Sequence, residues 1–236
     1  AVFLSLALPR KTQQSWVKGF LRGLTHLAEK CGAPLAGGDT AESPAGILAD
    51  IVVLGNVPKR KAILRSGARA GDQIYVSGQL GGSAAAVAEM RRHPKRKLTP
   101  KNYFRHFFPE PRIELGRVLR AKRLASAMID ISDGLSTDLA HICEESGMGA
   151  EIFADPIPRA RVGNPAYEVD IELALHGGED YELLFTVPAG QRIPGQIAGV
   201  PLTRIGEIKR KREILLRTGS GSTHKLPARG WEHFRR

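Results

Sequence analysis

The chain has 236 residues, 42% of them hydrophobic and 25% charged, and no apolar run approaches the ~20 residues that a membrane-spanning helix needs. Lys and Arg total 35 against 24 Asp and Glu, so the net charge of +11 favours acidic partners: nucleotides, phosphorylated metabolites or nucleic acid. Cys31 and Cys143 follow no metal-ligand spacing and lie in predicted helices, which indicates buried free thiols and a reducing, cytoplasmic setting.

The N-terminal segment predicts a strand followed by an amphipathic helix. Its apolar residues precede the first charges, so AVFLSLAL is not typical of a secretory signal and is interpreted as a strand that turns at Pro9. Apolar residues recur at helical spacing from Ser15 to Cys31, with Thr12 as a candidate cap and Gly32 at the end. The start resembles the middle of a strand and lacks an initiator Met, so we expect the chain to be a fragment of a longer protein.

Two further strands complete the first predicted domain. Residues 33–36 predict a short strand, the GGDT sequence of Gly37–Thr40 a tight loop, and residues 47–57 a longer strand. Because the composition shifts after residue 57, we expect one domain over residues 1–57 and a second over 58–236.

Strands and helices alternate in the second domain, which predicts an α/β or α+β layered architecture. We expect a strand at Gln73–Ser77, a helix from Ser83 and a helix over Pro111–Leu124. The basic stretch Arg91–His106 superficially resembles a nucleic-acid surface, but it carries no groove-reading or RNA-binding signature and is interpreted as a solvated helix end and loop. Lys209–Arg212, between two strand-like pieces, predicts an exposed hairpin turn.

The sequence IDISDGL at residues 129–135 is the most informative motif of the chain. An apolar strand ends at Asp130, Gly134 permits a sharp turn, and Ser136–Glu145 predicts a helix. Asp130 and Asp133 at such a turn are well suited to hold Mg²⁺ on a phosphate. Two alternatives stay open, because Asp133 could instead cap the helix and Asp130 could pair with a surface Arg.

Two other loops place paired glycines directly before an acid: GGDT at Gly37–Thr40 and GGEDYELLF at Gly177–Phe185. Paired glycines let the backbone approach phosphate oxygens while the acid holds a counter-ion, although each loop alone could be an ordinary turn. Together with IDISDGL they indicate a magnesium nucleotide site built from oxygen ligands. No GxSxG elbow, Walker-type loop or zinc-spaced His pair offers a competing catalytic scheme.

In combination, these motifs resemble the thiamine-monophosphate kinase family of the aminoimidazole ribonucleotide synthetase-like superfamily. The resemblance covers nearly the whole chain and rests on LALP, LAGGDT, ILRSGARAGDQIYVSGQLGGSAAA, PEPRIELG, IDISDGLSTDLAHI with SGMGA, LALHGGEDYELLF and ARGWEHF. It implies the remainder of an N-terminal ATP-binding α/β domain, followed by a C-terminal α/β sandwich domain of the aminoimidazole ribonucleotide synthetase type.

The resemblance also implies an activity, in which ATP phosphorylates thiamine monophosphate to thiamine diphosphate with Mg²⁺. The acceptor phosphate is already an anion, so positioning and charge neutralisation are needed rather than a general base. Three groups of residues match the family's motif positions: ATP-binding Gly38, Asp39, Arg65 and Ser132; magnesium-binding Asp39, Asp130 and Asp133; and Glu179 and Trp231, which hold thiamine monophosphate.

One departure from the family pattern lies at the front of the chain, where a further stretch with a Gly-Asp-Asp segment and another magnesium-binding Asp is expected. We therefore expect this polypeptide alone to be a poor or inactive kinase. The resemblance implies a homodimer for the full-length protein, to which that stretch contributes, and no membrane partner. Two alternatives stay open: a related synthetase of the superfamily, such as selenophosphate synthetase, and a non-catalytic basic nucleic-acid-binding domain.

Overall fold

Residues 1–231 are described by a computed structural model, in which the chain folds into two units, Ala1–Lys61 and Ala62–Arg236. Each unit has its own main sheet. Among residues 1–231, no helix is both long and apolar enough to cross a membrane.

Unit 1 is a three-stranded sheet with one helix. Its elements are β1 (Val2–Leu8), α1 (Gln14–Lys30), β2 (Leu35–Glu42) and β3 (Leu48–Val53). Strand β1 lies in the centre, parallel to β2 and antiparallel to β3, and α1 is the connection that parallel strands require. Alternate residues of β1 are buried, as expected for a strand with one covered face: Val2, Leu4 and Leu6.

The first helix is confirmed, but its predicted cap is wrong. Helix α1 begins after Gln13, and no side chain caps its N-terminus. The Thr12 hydroxyl instead donates to the Pro9 carbonyl at 2.7 Å, so it stabilises the turn after β1. Gly32 follows the helix in a left-handed conformation with φ +66°, as a helix-terminating glycine does.

The GGDT sequence is part of strand β2, which contradicts the predicted tight loop. Gly38 pairs with Leu4 of β1 at φ +148°, and a Cβ atom there would lie 1.8 Å from the Leu4 carbonyl oxygen. The glycine is therefore required by the close approach of two strands rather than by a turn.

Unit 2 contains one large mixed sheet, one small hairpin and five α-helices within its described residues. The strands are β4 (Gln73–Ser77), β5 (Ala127–Asp130), β6 (Gly149–Phe153), β7 (Arg161–Val162), β8 (Tyr167–Glu168), β9 (Leu183–Val187), β10 (Gln196–Ile197), β11 (Val200–Lys209), β12 (Ile214–Arg217) and β13 (Thr223–Lys225). The helices are α2 (Gly82–Arg92), α3 (Phe104–Phe107), α4 (Ile113–Ala121), α5 (Leu135–Ser146) and α6 (Ile171–His176). The large sheet has the order β13-β12-β6-β11-β4-β9-β5, with β10 paired to β11.

Helices cover both faces of this sheet, which confirms the layered α/β class. Neighbouring residues of β9 belong to different cores: Leu184 packs in a cluster with Leu139 of α5, and Phe185 in a second cluster with Leu115 of α4. This alternation is the period-two pattern of a strand buried on both faces. Most strand pairs are antiparallel, including those that β9 makes with β4 and β5.

Lys209–Arg212 do not form the predicted hairpin, because β11 and β12 are not neighbours. Strand β6 lies between them, antiparallel to β11 and parallel to β12. The connecting segment passes over the start of β6, where a Cβ atom on Gly149 would lie 1.9 Å from the Lys211 carbonyl oxygen. Such a close crossing requires glycine at position 149. Because Gly149 precedes the crossing segment by about sixty residues, the residues of that segment do not reveal the crossing.

The two cysteines differ in their surroundings. Cys143 of α5 is buried, and burial raises the pKa of its thiol to about 12, as expected for an inert core thiol. Cys31 directly follows α1 and is only partly buried, so the predicted burial is confirmed for Cys143 alone.

Candidate functional site

The predicted strand, turn and helix around IDISDGL are confirmed. Strand β5 ends at Asp130, and α5 begins after Gly134, whose φ of +117° is a conformation that favours glycine. A Cβ atom on Gly134 would also lie 2.9 Å from the His176 carbonyl oxygen. The turn is therefore sharp and packed directly against the end of α6.

Asp138, rather than Asp133, stabilises this turn through its side chain. Its Oδ2 accepts hydrogen bonds of 3.1 Å from the backbone N–H groups of Ser132, Asp133 and Gly134. Burial raises the pKa of the Asp138 carboxyl to about 6, although these N–H groups act in the opposite direction. The N-cap residue of α5 is Gly134 and no side chain caps the helix, so the alternative in which Asp133 caps α5 is wrong.

A second loop, Gly177–Glu182, pairs with the IDISDGL turn. The Glu179 N–H donates to the Ser132 carbonyl at 2.8 Å, and the Tyr181 N–H donates to the Ile131 carbonyl at 2.9 Å. A Cβ atom on Gly178 would lie 2.4 Å from the Ser132 carbonyl oxygen, so the paired glycines permit this contact. Glu179 and Tyr181 both have positive φ, a strained conformation that is concentrated at functional loops.

Between these two residues, Asp180 points into the protein. Its Oδ2 accepts the N–H of Gly81 at 2.8 Å, next to the first turn of α2, and only 6% of the residue is exposed. Burial raises the pKa of the Asp180 carboxyl to about 7, against the effect of the backbone N–H groups of Gly81, Gly82 and Ser83.

Stability should consequently depend on the ionisation of Asp180. Because its pKa is raised from 3.8 to about 7, the folded state binds more protons than the unfolded state over this interval, and the stabilisation present at low pH is lost as the pH rises towards 7. Asp180→Asn should remove this loss, so its free energy of unfolding relative to wild type should increase between pH ~5 and 7, by at most about 1 kcal/mol per pH unit and with a slope that falls off as the pH approaches 7. Urea denaturation of both proteins measures this; parallel pH profiles would contradict it.

A buried ion pair fixes the far end of the same loop. Arg112 donates through Nε to Glu182 Oε2 at 2.7 Å and also contacts Oε1, while the Ser77 hydroxyl donates to Oε2. The side chains of Glu182 and Arg112 are 1% and 6% exposed. Arg105 adds a longer contact of 3.3 Å to Glu182. The PEPRIELG motif therefore contributes a charge partner for GGEDYE.

The C-terminal end of the described chain lies on the IDISDGL turn. The Trp231 N–H donates to the Asp133 carbonyl at 2.9 Å, and the Gly230 N–H donates to Thr137 Oγ1 at 2.9 Å. Trp231 is 61% exposed. The indole is therefore attached through its backbone to the residue whose carboxylate is a predicted magnesium ligand.

These elements surround a cavity of about 680 Å³. Its lining includes four residues predicted from the sequence: Ser132, Asp133, Glu179 and Trp231. Helix α2, helix α6 and the Gly177–Glu182 loop supply the others: Ala84, Val87, Ala88 and Arg91 from α2, Leu173 from α6, and Gly178 and Tyr181 from the loop. An apolar wall with a few charged and aromatic groups is the usual composition of a small-molecule site.

Three predicted acids share one electrostatic environment. The pKa of the Tyr181 phenol is raised first by burial and then by the negative charges of Glu179, Asp130 and Asp133. Asp130 therefore lies close to this cavity, although it does not line it. Oxygen donors gathered in this way suit Mg²⁺. Among the described residues, Asp133, Asp138 and His141 also bring ligand atoms within 4.8 Å of one another.

The remaining predicted residues lie elsewhere. Arg65 is an exposed residue of unit 2. The carbonyl of the preceding residue, Leu64, accepts the N–H of Met128 in β5, so the segment that contains Arg65 runs beside this strand. Gly38 and Asp39 lie in unit 1, in the exposed strand β2, where Asp39 Oδ1 accepts the N–H of Thr40.

Several functional candidates were missed by the sequence analysis. The sequence places Arg91 only in a solvated basic stretch, yet this residue lines the cavity together with Ala84, Val87 and Ala88. The spacing of these four residues, i, i+3, i+4 and i+7, marks one helix face and could have revealed it. Tyr181 has no such signal, because its position follows from the pairing of two loops that are distant in sequence. Asp138 acts within its own motif, on the N–H groups of the turn that precedes α5.

Comparison with known proteins identifies the family of the chain. The AIR synthase related protein family models match at residues 1–57 (N-terminal domain) and 69–216 (C-terminal domain). The thiamine-monophosphate kinase of Salmonella typhimurium is 38% identical over 98% of this chain and 72% of its own length, and that of Bacillus subtilis is 33% identical over 98% and 74%.

Solved structures give the same result. The thiamine-monophosphate kinase of Stenotrophomonas maltophilia K279a has a TM-score of 0.81 at 34% identity, covering 91% of this chain and 71% of that one. AaThiL complexed with AMPPCP and TMP has a TM-score of 0.82 at 30% identity, covering 99% and 73%. With both domain models matched in order and this identity sustained along the chain, the protein belongs to the thiamine-monophosphate kinase family of AIR synthase related proteins.

Proposed function

We propose that this protein transfers the γ-phosphoryl group of ATP to the phosphate of thiamine monophosphate, which gives thiamine diphosphate and ADP. The observation that carries the proposal is the cavity in unit 2, where Glu179 and Trp231 lie beside Asp133. This cavity combines a surface for an organic ring with carboxylates that can hold a cation at a phosphate.

The cavity residues have separate proposed roles towards thiamine monophosphate. Trp231 packs its indole face against a ring of the substrate, because an aromatic face attracts a cationic or heteroaromatic ring. Glu179 supplies a carboxylate that pairs with the positive charge of thiamine. The apolar side chains of Ala84, Val87 and Ala88 also line the cavity and help to exclude water from it.

The chemistry places few demands on the protein beyond binding. A phosphate oxygen of thiamine monophosphate attacks the γ-phosphorus, a new P–O bond forms, and the bond from the γ-phosphorus to the bridging oxygen breaks, leaving ADP. The attacking oxygen is already an anion, so no general base is required. The protein must align two polyanions and reduce their repulsion.

Mg²⁺ is the cation we propose for this neutralisation, with Asp130 and Asp133 as ligands in unit 2 and Asp39 in unit 1. The shared negative field around Tyr181 supports such a site, since a divalent cation relieves the repulsion between carboxylates. When bound, Mg²⁺ supplies positive charge to phosphate oxygens.

For ATP, we propose contacts from Gly38, Asp39, Arg65 and Ser132. Residues 1–57 would then be the C-terminal part of an ATP-binding domain, and residues 58–236 a C-terminal α/β domain. The Arg65 carbonyl accepts from the Ser146 hydroxyl at 3.3 Å, at the C-terminal end of α5, so the proposed contact of Arg65 with ATP rests on its match to the family motif. Because ATP is the donor, we also propose that the reaction takes place in the cytoplasm.

We further propose that the protein forms a homodimer through unit 1. Large apolar side chains of β3 and its flanks are exposed, among them Leu48, Val52, Val53 and Leu54. An exposed apolar strand with unpaired edge groups is typically covered by another chain. Light scattering measures the mass in solution; a monomer at micromolar concentration would rule the dimer out.

The proposed activity is tested by incubating the chain with ATP, MgCl₂ and thiamine monophosphate and separating the thiamine phosphates by chromatography. We expect thiamine diphosphate to form, and none when EDTA removes the metal. Unphosphorylated thiamine, offered as a control, should give no product because it lacks the acceptor phosphate. A long incubation detects even a slow reaction, so product no greater than without protein would refute the proposal.

A further inference from the structure

The C-terminal segment Arg229–Trp231 is attached to the first turn of α5 by three consecutive backbone N–H groups. Trp231 donates to the Asp133 carbonyl at 2.9 Å, and Gly230 donates to Thr137 Oγ1 at 2.9 Å. Arg229 makes a longer contact of 3.4 Å to Ser136 Oγ. The segment thus uses side-chain acceptors of the helix as well as the free carbonyl of the turn.

Gly230 is the point of closest approach. A Cβ atom there would lie 2.0 Å from the Asp133 carbonyl oxygen and 2.6 Å from Thr137 Oγ1. Any other residue must move the segment away from the helix, and Trp231 follows directly. The glycine therefore fixes how near the indole lies to the turn.

Thr137 supplies the acceptor at this point. Its own backbone N–H donates to the Gly134 carbonyl inside the turn, so the position of its hydroxyl follows that of the IDISDGL turn. A valine has nearly the same shape but cannot accept a hydrogen bond, and it would leave the Gly230 N–H without this partner. A serine keeps the acceptor and loses only a methyl group.

We propose that Thr137 and Gly230 are positioning residues, which hold Trp231 at the mouth of the cavity and tie it to Asp133. The inference rests on the proposed function, in which Trp231 contacts thiamine monophosphate. Asp133 then has two tasks: its carbonyl holds the tryptophan backbone, and its carboxylate belongs to the proposed cation site. Movement of this one residue changes the place of the organic ring and the place of the phosphate together.

The attachment is separable from the core of unit 2. Helix α5 is held by Leu135, Leu139 and Ile142, all fully buried in the main cluster under the sheet. Loss of the Gly230 bond therefore leaves the packing of α5 in place. A variant can be folded and still hold Trp231 loosely, which is the condition that a test of positioning requires.

The experiment uses Trp16→Phe as the parent, because the chain has two tryptophans and this change leaves Trp231 as the single reporter. Thr137→Val, Thr137→Ser and Gly230→Ala are made in this parent. Thr25→Val is the matched control, since the Thr25 hydroxyl donates to the Leu21 carbonyl within α1, in unit 1. Calorimetry measures the Kd of thiamine monophosphate, fluorescence anisotropy measures Trp231 mobility, and melting temperature monitors folding.

We expect Thr137→Val to raise the Kd about tenfold and Gly230→Ala to raise it at least as much, each with lower anisotropy and little change in melting temperature. Thr137→Ser and Thr25→Val should stay within about twofold of the parent. Unchanged Kd and anisotropy in Thr137→Val and Gly230→Ala would overturn the inference, as would a Thr137→Ser protein as weak as Thr137→Val.

The proposed function fails in a different way. If the parent does not bind thiamine monophosphate at all, both proposals are overturned. If the parent binds it and makes thiamine diphosphate while the variants bind it equally well, only the positioning role is lost.

Discussion

Asp133→Asn is expected to lower the rate of thiamine diphosphate formation by about 10²–10³-fold, and Asp130→Asn by a similar factor. Each substitution keeps the size of the side chain and removes one negative charge from the proposed cation site. The phosphates of ATP and thiamine monophosphate then repel each other with less compensation. Because the reaction has no other chemical demand than alignment and neutralisation, the loss should appear in kcat at saturating substrate.

Two further measurements separate this cause from misfolding. The pKa of Tyr181 is raised partly by Asp130 and Asp133, so spectroscopic titration should give a lower Tyr181 pKa in either variant, with a folded protein. Asp155→Asn, at an exposed position after β6, is the control and should retain activity. Wild-type rates in both site variants would refute the proposed magnesium ligands.

Local sequence patterns predict an element of the fold correctly where its structure depends mainly on its own residues. Strand β4 at Gln73–Ser77 matches its predicted bounds, and the helix after IDISDGL differs by one residue at each end. The errors arose where two distant segments meet. The sequence predicts a loop at GGDT because the contact of this segment with Leu4 is not visible in its own residues. It predicts a hairpin at Lys209–Arg212 because nothing in these residues shows that β6 enters between the two strands.

The same limit applies to the site. Asp133 and Glu179 could be found because each is part of a recognisable motif, but their separation depends on the pairing of Ser132 with Glu179. Asp138 was overlooked, since its role is to bind the N–H groups of a turn that it follows by four residues. Residues that hold other residues in place have no sequence signature of their own, which is also true of Thr137.

Glu182→Gln is expected to destabilise the protein by about 3 kcal/mol, because it leaves the buried Arg112 guanidinium with a single charged contact, the 3.4 Å contact to the exposed Glu110. Arg112→Met should lower the free energy of unfolding by a similar amount, because it removes the main charged partner of the buried Glu182 carboxylate. The hydrogen bond to Glu182 raises the pKa of Arg112, so the guanidinium stays charged in the folded state. Urea denaturation measures each free energy of unfolding. Arg117→Gln, which breaks an exposed pair with Glu114 on the same helix, should cost less than about 1 kcal/mol.

The double variant Glu182→Met/Arg112→Met distinguishes stability from positioning. Replacing a buried ion pair by apolar side chains removes the cost of desolvating two charges, so we expect the double variant to recover most of the stability lost in either single variant. It does not restore the hydrogen bonds between Glu182 and its partners Ser77 and Arg112. Glu182 directly follows Tyr181, so these bonds hold the end of the loop. The loop that carries Glu179 should then be held less firmly, and the Kd for thiamine monophosphate should stay raised. A double variant that binds thiamine monophosphate like wild type would mean that the ion pair serves the fold of unit 2 and not its cavity.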